Sequence, residues 1–260
     1  MTLQIIIAQT IAFLKKFKRK SQQTLFIPLD ICYIIAEYVI SLCLLDWIPQ
    51  DNLNWNYLSL NPAAIHLLEA NLDRINWYWL SGNPAAMHLL EVNLDRVYWR
   101  ILSVNLAAMH VLEANPNMIS WYSLSANPAA MHMLGANPDK IYWRWLSVNP
   151  AAIHLLEANS NRIDWYWLSG NPAAVHLLEA NPNRIDWKYL SMNPAAMHML
   201  KANHNKIYWD YLSINPTPLA MHLLETNMDK IHWHWLSSNP AIFKIDRKKI
   251  TELIYRLADR

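Results

Sequence analysis

The chain has 260 residues, 53% of them hydrophobic and 16% charged, enough for one sizeable folded domain and too apolar for a disordered one. Only 3 glycines occur where average usage gives roughly 18, which removes the raw material of phosphate loops, dinucleotide fingerprints and hairpin-rich β architectures. Lysine and arginine outnumber acids 5 to 3 in residues 1–50 and 6 to 3 in 239–260, whereas 51–238 carries 11 against 14, so the mildly acidic body argues against nucleic acid as a partner.

Residues 2–14, TLQIIIAQTIAFL, precede KKFKRK at 15–20. The order is the reverse of a secretory signal and the apolar stretch is too short to span a bilayer. An amphipathic, basic helix over 1–20 is expected to dock on the repeats that follow, with membrane contact as the alternative. Residues 21–53 form an N-terminal capping segment, in which 26–48 read as a buried helix interrupted by Glu37. Ile27, Pro28, Leu29 and Ile31, with Ile34 and Tyr38, resemble the first helix of an F-box, a resemblance of about a dozen residues. It implies docking of those six residues on a Skp1-type adaptor of a cullin ubiquitin ligase. Cys32 and Cys43 are too few for a disulfide framework and lie in no zinc or redox spacing, which suits an intracellular, reducing compartment.

From Asn61 the chain restarts every 22 residues, at Asn83, Asn105, Asn127, Asn149, Asn171, Asn193 and Asn215, with one 24-residue unit from Asn215 to Asn239. Each of these eight units reads approximately N-P-A-A-h-H-h-L-E-A-N-x-D/N-R/K-I-x-W-x-x-L-S-x, and residues 54–60 are the second half of another. In the first half Asn61 is an N-cap, Pro62 stands where its missing N–H is harmless, and Asn71 is a stop able to turn left-handed. Leu68 centres an apolar face near Ala64 and Ile65, with His66 opposite. The second half, Ile75–Ser81, suits a single turn of α or 3₁₀ helix. No such unit buries its own apolar face, so the expected fold is an all-α solenoid of eight short two-helix repeats over 54–243, an arc on the order of 70–80 Å long at ~8–10 Å per repeat. A helical C-terminal cap follows over 244–260.

The phrase L-S-x-N-P-x-x-x-h-x-L-L-x-x-N-P-D/N resembles the leucine-rich variant repeat, which implies α helices alternating with 3₁₀ helices; the Trp77 and His66 columns depart from that pattern. N-P-A-A-I-H-L-L-E-A-N-x-D-R-I-x-W is also similar to repeat proteins encoded in multiple copies by large DNA viruses, which implies a host cytoplasmic location.

Eight histidines (His66, His88, His110, His132, His154, His176, His198, His222) share one helix position. Rungs ~8–10 Å apart exclude a zinc ion whose ligands lie ~2 Å away, so contacts with Glu69-type carboxylates at i+3 or with neighbouring aromatics are expected. Ser81, Asp73 and His66 contain the groups of a hydrolase triad, but every unit repeats them and a catalytic site is singular. A non-enzymatic chain without metal or cofactor is expected. The Trp column from Trp55 to Trp233 is constant and reads as core. The positions beside it vary: Tyr78, Arg100, Tyr122, Arg144, Tyr166 and Lys188 follow a Trp and are the candidate partner-binding residues, rich in the types that dominate interfaces. The expected function is a repeat scaffold binding a protein partner along an extended face. The alternatives are an F-box-like substrate receptor and an RNA-binding helical repeat.

Overall fold

A computed structural model describes residues 42–245. These fall in two compact units, Asp51–Asn239 and the flanking residues on either side of it. In the flanking unit, β1 (Leu42–Leu44) pairs antiparallel with β2 (Phe243–Ile245), Leu42 opposite Ile245 and Leu44 opposite Phe243. Leu45 N donates to Ile242 O at 2.8 Å, and Asp46 forms an ion pair with Lys244. Two expectations change here. The helix over 26–48 does not include Leu42–Leu44, and the cap helix over 244–260 does not include Lys244 and Ile245. A short apolar run reads equally as helix or strand, and the partner strand lies 200 residues away in sequence. Residues 1–20, the F-box-like positions Ile27, Pro28, Leu29, Ile31, Ile34 and Tyr38, and 246–260 lie outside the described residues.

Within Asp51–Asn239 the solenoid is all helical. In the unit from Asn61, a 3₁₀ turn (Pro62–Ala64) runs into an α helix (Ile65–Glu69), then a second 3₁₀ turn (Leu72–Arg74), then a one-turn α helix (Trp77–Leu80). The α and 3₁₀ alternation follows the pattern in the sequence; the turn at Leu72–Arg74 is an addition to it. Asn61 Oδ1 accepts from Ala63 N at 3.0 Å, the expected N-cap. Asn71 ends the helix by another route. Its φ is −141°, and its Nδ2 donates to Leu67 O at 2.9 Å, so a side-chain amide rather than a left-handed backbone satisfies the last carbonyls.

Three columns make the core: Leu58 to Leu236 from the Trp helices, Leu68 to Leu224 from the His helices, and Ala64 to Ala220 between them, each at most 1% exposed. Beside them runs a buried polar ladder. Each rung Asn donates both amide hydrogens to the preceding unit, as Asn83 does to Ser59 O and Asn61 O at 3.0 and 3.1 Å. Each Ser hydroxyl donates to the Trp carbonyl four residues back and accepts a backbone N–H from the next unit, as Ser59 does with Trp55 O and Asn76 N. Donors and acceptors balance, which is what lets asparagine and serine sit at 0–1% exposure.

The ladder has no end. Asn61 donates to Ser237 O and Asn239 O at 3.0 and 2.9 Å, and Ser237 Oγ accepts from Asn54 N at 2.9 Å, repeating across the termini the contacts of every internal joint. The solenoid is therefore a closed ring of nine rungs, Asn61 to Asn239, rather than an arc of eight. The half unit 54–60 supplies the ninth Trp helix. Closure over nine units requires a turn of about 40° each, the small constant rotation that gives any solenoid its curvature. The unit is wedge-shaped enough to supply it: one layer holds a five-residue helix with its 3₁₀ turns, the other a four-residue Trp helix. The 24-residue unit keeps the register by lengthening its helix to Pro218–Glu225, and Ser213 Oγ still accepts from His232 N at 3.1 Å.

Candidate partner-binding face of the ring

Within Trp77–Leu80, Leu80 points into the core and Tyr78 and Trp79 point away from it. The position two after the constant Trp is mostly aromatic, and its rings approach from unit to unit: Tyr57 to Trp79 at 5.1 Å, Trp145 to Trp167 at 4.6 Å, Trp167 to Tyr189 at 4.9 Å, Tyr189 to Tyr211 at 5.3 Å and Tyr211 to Trp235 at 4.6 Å. Nine equivalents about 5 Å apart close at a radius of about 7 Å, whereas helix axes at the usual spacing of 8–10 Å close at about 12–15 Å. The aromatic column therefore faces the ring axis, and the Trp helices form the concave layer.

The candidate residues Tyr78, Arg100, Tyr122, Arg144, Tyr166 and Lys188 share one column of this face. Tyr78, Arg100, Arg144 and Tyr166 are exposed, and Tyr122 and Lys188 are half-buried. Each meets the next unit, at the residue before its Trp, at the residue after it, or at the aromatic wall. Tyr78 packs edge-on against Tyr98 at 5.2 Å and Tyr122 against Tyr142 at 5.5 Å. The Arg100 guanidinium lies over Tyr122 at 5.2 Å, Arg144 over Trp167 at 5.8 Å, and the Lys188 ammonium over Tyr211 at 4.9 Å. Arg144 Nε also meets Asp164 Oδ2 at 3.5 Å. The Tyr211 hydroxyl holds the Lys188 ammonium above the ordinary lysine range. Burial, then its hydrogen bond with Tyr166, pushes the Tyr189 phenol up.

The residue before each Trp has a second role that sequence reasoning missed. Asn54, Asn76, Asp164, Asp186 and His232 cap the following helix by accepting one of its first N–H groups. Tyr98, Ser120, Tyr142 and Tyr208 occupy the same position without a side-chain cap. A lost N-cap costs about 1 kcal/mol, and in its place the three tyrosines stand 52%, 49% and 51% exposed. The signal was visible as a column mixing Asn and Asp with Tyr.

The constant Trp column is half-buried rather than core. A basic residue 19 positions on covers the ring in most units, as Arg74 does Trp55 at 3.9 Å and Lys206 does Trp187 at 4.3 Å. The fixed offset was legible; the stacking was not. Trp99 has Met118 in that place instead.

The histidines pair with glutamates, but one unit back rather than at i+3. His88 Nε2 meets Glu69 Oε1 at 2.8 Å, and His110, His132, His176 and His198 repeat the contact at 2.7–2.9 Å. Lateral stacking brings the neighbouring helix closer to the imidazole edge than its own next turn. His154 is the exception that explains the rule, because the position it would use is Gly135, and it takes Glu157 at i+3 and 3.3 Å. Glu157 thus serves two imidazoles, and the His176 hydrogen bond above all holds its carboxyl below the usual glutamate range. The Ser81 hydroxyl is buried, donating to Trp77 O and accepting from Tyr98 N, so it belongs to the ladder. Among the described residues no helix is long and apolar enough to cross a membrane. Comparison with protein-family models, with curated proteins and with solved structures found no match.

Proposed function

We propose that the ring is a non-enzymatic scaffold that binds a protein partner on its concave face, through the columns containing Tyr78, Tyr98, Arg100, Tyr122, Tyr142, Arg144 and Tyr166. The forfeited caps carry this reading. Nine units share one framework, and five cap the Trp helix with the side chain before it. Three others hold an exposed tyrosine there, so something other than folding selects the residue. Tyrosine and arginine suit the task because they bury large area with few rotatable bonds and dominate binding energy where they occur.

The test exchanges function for stability. Replacing Tyr98, Tyr142 and Tyr208 together by Asn restores three caps, and the melting temperature should rise. The proteins captured by the wild-type chain and cross-linked to its concave face should be lost from the triple variant. Undiminished capture by the more stable variant would overturn the reading.

A further inference from the structure

The concave face is electrically lopsided. In three consecutive units, the residues facing the axis are Tyr98, Arg100 and Ile101, then Ser120, Tyr122 and Ser123, then Tyr142, Arg144 and Trp145: two guanidinium groups and no carboxylate. The next three units carry Asp164, Asp186 and Asp210 at the same positions, with Lys188 the single cation. The framework does not require this division. Asp164 and Asp186 act as caps, a service Asn54 and Asn76 perform without charge.

We propose that the arc from Tyr98 to Arg144 takes an acidic polypeptide segment, an inference that rests on the protein-binding reading above and names the partner's chemistry. Three observations converge there. All three Trp helices of the arc lack a side-chain cap, so its tyrosines are placed for contact. Arg100 has no carboxylate within ion-pair distance among the described residues and is oriented by the Tyr122 ring. Arg144 meets Asp164 only at the edge of the arc and keeps a side chain that is 64% exposed. Guanidinium groups held against aromatic faces are pre-organised for paired hydrogen bonds to carboxylates, with the tyrosine hydroxyls beside them as further donors. The Arg100 guanidinium lies 5.2 Å from the Tyr122 ring of the next unit, so Arg100 and Arg144, two units apart, can meet carboxylates on alternate residues of one extended segment, which share a face. Asp164, Asp186 and Asp210 repel the same segment from the adjoining arc, which sets its register.

The experiment uses the full chain and fluorescein-labelled dodecapeptides of alternating Glu and Gly, or Gln and Gly, with a twelve-nucleotide uridine RNA as the third probe. Anisotropy titrations in 50 and 300 mM NaCl should show the Glu peptide at least tenfold tighter than the Gln peptide at low salt and strongly weakened at high salt. R100E with R144E should abolish that difference while circular dichroism stays unchanged, and K201E, on the opposite layer, should leave it intact. Equal affinity for the Glu and Gln peptides would overturn the inference. Should the tyrosine-to-Asn variant still weaken both equally, the protein-binding reading would survive and the acidic partner would not. Tighter binding of the RNA, lost with the same two arginines, would overturn it in favour of a nucleic acid.

Discussion

The joint at Asn149 and the seam at Asn61 are made of the same groups. Asn149 donates to Ser125 O and Asn127 O at 3.0 Å each; Asn61 donates to Ser237 O and Asn239 O at 3.0 and 2.9 Å. Across the joint the chain is continuous, whereas at the seam residues 176 and 178 apart in sequence meet. Identical contacts thus have different duties: in the joint they stiffen a connection the backbone already makes, and at the seam they create one.

The sharpest break of this comparison is to remove the amide from each. Asn149→Ala leaves the buried Ser125 carbonyl and the Ala151 N–H without partners and takes one of two donors from Asn127 O, and at 1–3 kcal/mol per orphaned group should destabilise the fold by about 3 kcal/mol, read by urea unfolding. Asn61→Ala removes the equivalent bonds, but its expected signature is a larger hydrodynamic radius with helicity retained, because the ring opens there without unfolding the units. A radius as small as that of wild type would show that the seam has other means of closure. The serine pair should follow at lower amplitude: Ser147→Ala and Ser237→Ala each strand one backbone N–H, Asp164 N and Asn54 N, for about 1–2 kcal/mol.

The glycines sharpen the contrast between the two layers of a unit. A methyl at Gly135, in the helix Met131–Ala136, meets nothing within 4 Å, so Gly135→Ala should stabilise by about 0.5–1 kcal/mol through helix propensity. At Gly82, on the concave layer, the same methyl meets Leu60 Cδ1 at 2.9 Å and Ile101 Cγ2 at 3.2 Å from both neighbouring units. Gly82→Ala should therefore gain nothing or lose up to about 1 kcal/mol. The smallest effect is electrostatic. Glu157 is exposed and its carboxyl depressed, so the stability it adds is present above the unfolded glutamate pKa and is lost as pH falls through the lower folded value. Carbon NMR titration should place Glu157 below an ordinary glutamate, and His176→Ala should raise it more than His154→Ala.

Much of this was legible in one dimension. The 22-residue period announces a stack of identical units, the Asn-Pro start announces a cap and a first turn, and Leu68 and Leu80 are core because spacing puts them there. The variable column at Tyr78, Arg100, Tyr122, Arg144, Tyr166 and Lys188 was separable from the constant Trp column by comparison within the chain. What escaped was every contact between units: His88 with Glu69, Arg74 on Trp55, Asn76 N on the Ser59 hydroxyl. Periodicity states that neighbours exist without stating which atoms of one reach which atoms of the next.

The local structure of each unit was determined by the amino-acid sequence by itself, because caps, turns and apolar spacing act over a few residues. Closure was decided only in three dimensions. Whether a solenoid ends as an arc or a ring depends on the angle accumulated over nine nearly equal wedges, and a few degrees per unit, invisible in any single unit, separate the two. The same closure turned the Trp helices inward and set Tyr98, Arg100, Tyr142 and Arg144, on units two apart in the chain, on one concave arc.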